Sequence, residues 1–390
     1  MTRRRPGTPT LLRALNDRAA LELLLNHGPL TRAQLGEMTG LSKVTASQLV
    51  ERLEARGLVE RVGVQVGGRG PNAQMYAAVP SAAYVVGLDV GPHGVTAATA
   101  DITGAAGERV QVAMRGSTDP GAAVRQAVTA ACEAANISVD GVRQVVLGTP
   151  GVVDPTTGEM SFSWELPRWD RGVLARLREE FSAQVVIEND VNLAAIAESR
   201  DGAAVGVEDF VLVWVGRGLG LAVLLGGRLH RGATGGAGEI GYLPVPGATV
   251  PHDVSRRSKP SFARLAGGDA VRSLLRRHGF RADSAAQAVA DAVAAGEKGA
   301  AALDELAQRL ALGVAAVCVV LDPALVVLAG DIGQAGGQQL ADRVATEVAT
   351  IAPVAPRVVP TQVPDAPVLR GALLTAVDRA REEIFESTAD

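Results

Sequence analysis

Aromatic side chains are scarce in this chain, 3% of 390 residues. That is too few for the stacked aromatic platform that holds single-stranded nucleic acid. Cysteine is scarcer still. Cys132 and Cys318 stand alone in apolar, helix-like surroundings, which suits small core residues better than a redox or metal pair. No segment has the ligand spacing of a structural zinc site. The opening TRRRP lacks the apolar run of a signal peptide, and no charge-free 18-residue segment reads as membrane-spanning. A cytoplasmic protein with no membrane partner is expected.

Glycine, by contrast, is abundant at 45 residues, and apolar residues make up 47%, so a chain of this length can form two or three folding units with large cores. The net charge of -4 conceals a division. Residues 1–80 hold eleven Lys and Arg against six Asp and Glu, a balance of +5, which leaves the remainder at -9. A basic leading unit can approach DNA where an acidic body is repelled, provided its charges face one way.

Residues 1–80 read as a winged helix-turn-helix. LLRALNDRAALELLLNHG (11–28) sets Leu12, Leu15, Ala19, Leu23 and Leu24 near one helical face, and Gly28-Pro29 stops it. Thr31 leads into a short helix, RAQLGEM, with Ala33 and Leu35 inward; Gly40 turns the chain and Ser42 caps a third helix, KVTASQLVERLEA. Its inward register, Ala46, Leu49, Val50 and Leu53, leaves Lys43, Thr45, Ser47 and Gln48 outward, where a recognition helix meets base edges in the major groove. Val44 is placed for a thymine methyl, and Thr31 and Arg52 for phosphates. Any short helical pair can imitate this pattern, but the next segment adds an independent feature. GLVERVGVQV (57–66) and AQMYAAV (73–79) read as the strands of a wing whose tip, GGRGPN, presents Arg69 and Asn72 to adjacent backbone or minor groove.

After Pro80 the character changes. AYVVGLDVGPHGVTAATADITG (83–104) reads as strand, glycine turn and strand, and FVLVWVGRGLGLAVLLGGRLHRG (210–232) repeats the design. AQVVIENDVNLAAIAES (183–199) ends a strand at Glu188, Asn189 and Asp190 and passes directly into a helix. Two related α/β halves, 81–205 and 206–390, are expected to face a cleft with polar residues at strand ends, the last helix packing back on the first half.

GTPGVVD (148–154), ENDVNLAA (188–195), GRLHRGATGGAGEIGY (227–242) and LAGGDAV (265–271) occur in this order, followed by LAGDIGQAGG (328–337) and LRGALLTAV (369–377). With these, residues 11–375 resemble the ROK family of repressors, open reading frames and sugar kinases. The resemblance implies an actin-like (ribonuclease H-like, hexokinase-type) duplicated fold. It further implies that Asp190 stands where active members keep the general base for a sugar hydroxyl, that Asn189 bonds an adjacent hydroxyl and that Glu239 accepts from the ring hydroxyls. Gly151 and Tyr242 belong to the same effector site. On chemistry alone Asp190 can equally cap the helix that follows, and the two roles can coexist.

Departures from the family pattern argue against catalysis. Family kinases carry Asp-x-Gly-Gly-Thr-Lys at the first phosphate turn, and this chain has Asp89-Val90-Gly91-Pro92-His93-Gly94. Proline deletes an amide donor, and histidine adds bulk where a small hydroxyl residue is expected. Arg217 takes the place of a threonine at the second turn, Ala263 that of a glutamate that touches the sugar, and Tyr242 that of a histidine. Ser261 stands at the last cysteine of the zinc-bearing members, leaving His252 as a lone ligand. No cofactor, no zinc and no ATP are therefore expected. The expected protein is a DNA-binding transcriptional regulator, a repressor by preference, nucleoid-associated when bound. It would act as a homodimer or dimer of dimers on a double-stranded operator and respond to a sugar-like hydroxylated effector. An ATP-dependent sugar kinase with an appended DNA-binding unit and a ligand-independent dimer scaffold are the other readings.

Overall fold

A computed structural model of the chain describes residues 9–65, 72–114, 119–163, 166, 169, 172–246 and 261–386. The first unit runs α1 (Pro9–His27), β1 (Leu30–Thr31), α2 (Arg32–Thr39), α3 (Lys43–Ala55), β2 (Val59–Gln65) and β3 (Ala73–Ala78), with antiparallel strand order β1-β3-β2. This is a winged helix. The Ser42 hydroxyl accepts from the Thr45 amide to cap α3, and Ala46, Leu49, Val50 and Leu53 are all buried.

Two inward registers differ from the sequence reading. In α1, Leu24 is buried as read, but Leu12 and Leu15 are exposed, and Ala14, Asp17 and Leu21 turn inward instead. The buried Asp17 carboxylate decides the rotation: it accepts two bonds from the Arg52 guanidinium, at 2.6 and 3.2 Å, tying α1 to α3. Hydrophobic counting cannot see a face fixed by a buried ion pair. In α2, Ala33 is exposed while Leu35 and Gly36 are buried, because α3 packs that close to the helix backbone.

The body contains two sheets of one design. The first is built from β4 (Tyr84–Gly91), β5 (Gly94–Asp101), β6 (Val110–Ala113), α4 (Pro120–Ala134), β7 (Val142–Thr149), the small hairpin β8 (Val152–Val153) and β9 (Met160–Phe162), α5 (Val173–Glu180), β10 (Gln184–Asn189) and α6 (Asp190–Asp201). Its strand order is β10-β7-β4-β5-β6, parallel on the β7 side of β4 and antiparallel on the β5 side. The second contains β11 (Phe210–Val215), β12 (Leu219–Leu225), β13 (Arg228–Leu229), α7 (Ser261–Ala266), α8 (Gly268–Arg277), α9 (Ala285–Ala294), α10 (Glu297–Leu321), β14 (Leu325–Ala329), α11 (Gly330–Ile351), β15 (Arg357–Pro360) and α12 (Pro367–Glu386). Its order, β13-β12-β11-β14-β15, reproduces the first sheet strand for strand and direction for direction. The recurrence read in the sequence is a structural duplication.

One element leaves its own half. α12 lies against α6, β4 and β7 of the first half, burying Leu369, Ala372, Leu373, Ala376 and Ala380. Its far end continues the same apolar cluster into α1 and α3 of the winged helix, through Ile384 and Phe385 to Leu21, Leu24 and Leu53. Cys132 and Cys318 are buried free thiols on helices α4 and α10. None of the described helices is long and apolar enough to cross a membrane.

Candidate functional site

On the winged helix, Lys43, Val44 and Gln48 are exposed on α3, and Thr45 and Ser47 are half-buried beside them, so one face of the helix carries all five. Asn72 is exposed at the start of the return strand, while Arg69 lies outside the described residues. Two expected phosphate contacts are committed inside the fold. The Thr31 hydroxyl is buried and forms a capping box with Gln34, worth roughly 1 kcal/mol. Arg52 is held by Asp17 in the bidentate pair described above, so its fork is already occupied.

The cleft between the two sheets encloses about 460 Å³, inside the usual range for small-molecule sites. Gly151, Asn189, Asp190, Glu239 and Tyr242 all line it. So do the strand ends at Asp89, Arg217 and Asp331. In open α/β sheets the carboxyl edges of the strands are where ligands bind, and here the ends of β4, β7, β10, β11 and β14 supply most of the polar wall.

Local structure explains why each group sits where it does. Asn189, rather than Asp190, caps α6: its Oδ1 accepts from the Asn192 amide at 3.1 Å, and its Nδ2 donates to the Gly151 carbonyl at 3.0 Å. The capping role considered for Asp190 thus falls to its neighbour, and Asp190 sits in the first turn of α6 with its Oδ1 on the Val191 amide. Gly151 has φ +134°, and a Cβ there would fall 2.3 Å from the Phe162 carbonyl, so only glycine lets the β9 strand approach. Gly238 is needed in the same way: a Cβ would meet the Leu221 carbonyl at 2.0 Å. That close approach delivers the next residue, Glu239, into the cleft. The glycine-rich run thus presses a carboxylate against a strand.

The cleft is rich in carboxyl groups. Burial raises Asp89 from its usual 3.8 to about 6. Glu239 and Asp331 are also raised, both chiefly by burial. With Asp190 this makes four acids around one cation, Arg217. Such a wall offers acceptors to the hydroxyls of a neutral, hydroxyl-rich molecule.

The first hairpin turn contributes Pro92 to the cleft wall, whereas His93 is exposed at the turn and does not line it. The expected steric effect of histidine is therefore absent, and the altered surface is proline's missing amide. Ala263 does line the cleft, as an apolar wall where a carboxylate would otherwise stand. Ser261 is fully buried, its hydroxyl accepting from the Val245 amide at 3.3 Å. Among the described residues no group of three His, Cys, Asp or Glu could hold a metal, and His252 lies outside them.

Sequence reasoning missed Asp331 and Trp214 as cleft residues. Asp331 was findable: LAGD sits at the end of β14, the duplicate of β7, whose end supplies Pro150 and Gly151. Trp214 reads only as one more apolar residue of a buried strand.

Behind the cleft, α12 joins α6 to the winged helix. The Arg200 and Arg370 guanidiniums pair with Asp378 and Asp201, both at 2.6 Å, linking α6 and α12. At the other end of α12, Arg18 of α1 pairs with Glu382 at 3.0 Å and lies 4.7 Å over the Phe385 ring, and Arg56 donates to the Ile384 carbonyl. α6 begins at Asp190 in the cleft.

Comparison with known proteins agrees with this architecture. The family model described as the ROK family matches residues 85–379, and that of the MarR family matches residues 15–70. The chain is similar to the DNA-binding transcriptional dual regulator NagC of Escherichia coli strain K12, 26% identical over 241 residues covering 61% of this chain and 59% of that protein. It is also 26% identical over 243 residues to the xylose repressor of Bacillus subtilis strain 168, covering 60% and 62%. The alignments thus span about three fifths of these relatives. Among solved structures, a ROK family transcriptional regulator described as a homolog of the E. coli MLC protein superposes with TM-score 0.71 at 18% identity, covering 94% of this chain and 99% of that one. A ROK hexokinase from Thermus thermophilus superposes with TM-score 0.61 at 26% identity, covering 77% and 99%.

Proposed function

The chain belongs to the ROK family, and from that premise we propose that it is a transcriptional regulator whose winged helix binds a double-stranded operator and whose cleft senses a sugar-like effector without phosphorylating it. The observation that carries this reading is α12, one helix packed both on the element that brings Asp190 to the cleft and on α1 of the DNA-binding unit. A ligand that favours one setting of α6 changes the setting of the winged helix by its differential affinity for the two. Two such chains then present their recognition helices at a new separation to half-sites of fixed spacing.

In this reading Lys43, Val44, Thr45, Ser47 and Gln48 meet the major groove, and Asn72 and Arg69 serve the wing. Asp190 and Glu239 accept from effector hydroxyls, Asn189 and Gly151 shape the floor, and Tyr242 closes the wall. Two relatives, each 26% identical, are named N-acetylglucosamine repressor and xylose repressor, which supports repression and a saccharide effector. The protein works in the cytoplasm as a homo-oligomer and needs neither zinc nor ATP. A kinase reading draws on Asp190, a carboxylate where a hydroxyl would bind. Against it stands Pro92, since phosphoryl transfer depends on exact positioning of donors around the phosphates.

A panel of mono- and disaccharides, assayed in parallel for operator binding by gel shift and for ADP release by a coupled assay, separates the readings. The sensor predicts a sugar that shifts operator affinity with no ADP formed. Sugar-dependent ADP formation would replace it with the kinase. A chain that shows no sequence preference among DNA duplexes at controlled salt would remove the regulator altogether.

A further inference from the structure

A second cavity, of about 330 Å³, opens on the other side of Asn189 from the effector cleft, lined by Asp154, Gly158, Glu188, Asn192, Arg231 and Arg379 among others. Two arginines from distant segments line it, and a third stands beside its wall. Arg379 comes from α12 and Arg231 from the loop after β13. Arg178, on α5, reaches the Gly158 wall, its Nη2 lying 3.6 Å from where a Cβ on Gly158 would be. Two carboxylates, Glu188 and Asp154, share the wall, so the three guanidiniums leave a surplus of one positive charge. Glu188 is nearly buried and fully used: Oε1 accepts from the Asn189 amide and Asn192 Nδ2, both at 2.9 Å, and Oε2 from Arg231 at 2.7 Å. Asp154 turns its Oδ1 to the amides of Thr156 and Thr157. Among the described residues Arg379 has a 3.3 Å hydrogen bond to Gln144 Oε1, Arg178 has one to the Val185 carbonyl at 3.2 Å, and neither has a carboxylate within ion-pair distance.

That surplus of positive charge favours an incoming anion. Burial, and then the charges of Arg178 and Arg231, push Arg379 below the ordinary arginine range. The planar forks left open match tetrahedral oxyanions, which arginine binds in bidentate fashion.

We propose that this cavity is a binding site for a phosphate-class oxyanion, with Arg379 as its principal ligand, Arg231, which Glu188 holds in place, as a second, and Arg178 adding positive charge from beside the Gly158 wall. The site is separate from the effector cleft, and it stands whether or not the chain proves to be a regulator. Its wall includes Asn189, the cap of α6, and Arg379 rides on α12, so an anion bound here touches both elements of the path to the winged helix. At 330 Å³ the cavity also has room for a small phosphate ester.

Isothermal titration of the full chain with inorganic phosphate, in a phosphate-free buffer of low chloride, tests this. We expect saturable one-site binding, weakened at least tenfold by Arg379→Ala and to a smaller extent by Arg178→Ala, with Arg379→Lys between the parent and Arg379→Ala. Arg217→Ala, in the effector cleft, should leave phosphate affinity within twofold. A hexose 6-phosphate that competes with phosphate and binds more tightly would assign the site to a phosphate ester. Equal affinity would assign it to the free ion, and an unphosphorylated hexose should not compete. Circular dichroism and the thermal midpoint of each variant show that it is folded. Titration with no saturation up to tens of millimolar, or binding that survives Arg379→Ala and Arg178→Ala but is lost in Arg217→Ala, would overturn the proposal.

Discussion

The two sheets share a strand order and directions, but the hairpins at their cleft edges have diverged. β4 and β5 are joined by Pro92-His93 between paired glycines Gly91 and Gly94; β11 and β12 are joined through Gly216-Arg217-Gly218. The first turn has lost an amide at the cleft wall, and the second has gained a cation among acids. Between them the ends of β7 and β10 still offer Gly151, Asn189 and Asp190. Duplication therefore gave one cleft two edges that can be altered separately from its floor. Here the floor offers acceptors to hydroxyls, and the first edge presents a proline that has no amide to donate.

The sharpest way to break the symmetry is at the joint between the halves. Glu198 of α6 is fully buried: Oε1 accepts from the Thr361 hydroxyl and from the amides of Gln362 and Val363, both at 3.0 Å, while Oε2 accepts from the Ala203 amide at 2.7 Å. It clamps the segment between β15 of the second half and α12 to the first half. Glu198→Ala should destabilise the chain by about 3 kcal/mol in urea denaturation, through several donors left without an acceptor. Loss of less than about 1 kcal/mol would mean that the clamp is dispensable.

Asp89 of β4 and Asp331, just beyond β14, face the cleft from the two halves, and both are raised, Asp89 to about 6. Because its folded value lies above the unfolded one, the folded chain holds a proton there that the unfolded chain has released. Asp89 therefore costs stability as pH rises from about 4 to 6, up to about 3 kcal/mol above that window, and the cost vanishes on acidification. Asp89→Asn should stabilise the protein at pH 7 by up to that amount and change little at pH 4, as followed by denaturant midpoints at both pH values. Equal effects at both would show that burial does not raise this carboxyl.

On the winged helix the comparison is between outward and committed polar residues. Gln48→Ala should cost roughly 1–3 kcal/mol of discrimination between operator and scrambled duplex if the amide reads a base edge in bidentate fashion, with smaller loss of non-specific affinity. Arg52→Ala should instead lower the unfolding midpoint, since it strands the buried Asp17. The smallest expected effect is that of Pro92→Gly: a loss of about 0.4–1 kcal/mol from a freer unfolded chain, with ADP release still at background, because one restored amide does not rebuild the rest of a phosphate cradle.

Much of this was legible in the sequence. Strand ends, glycine turns and family motifs located all five proposed cleft residues, and the α3 register gave its outward face. What escaped shares a physical cause. The rotation of α1 depends on Asp17 meeting Arg52 from 35 positions away, and the arginine cavity assembles from β10, α12 and the loop after β13. Each is a tertiary meeting of polar groups that local periodicity does not encode. Thr31 and Arg52 read as free donors for the same reason, their partners being invisible until the chain folds.

The central claim, that the cleft senses without catalysing, is tested most directly by operator affinity measured with and without the effector sugar in nucleotide-free buffer, in the parent chain and in Asp190→Asn. The account predicts a change of tenfold or more in the operator Kd of the parent, shrinking to less than twofold in the variant, with no ADP formed by either when ATP is then added. An operator Kd that ignores sugar, together with sugar-dependent ADP release abolished by Asp190→Asn, would contradict it.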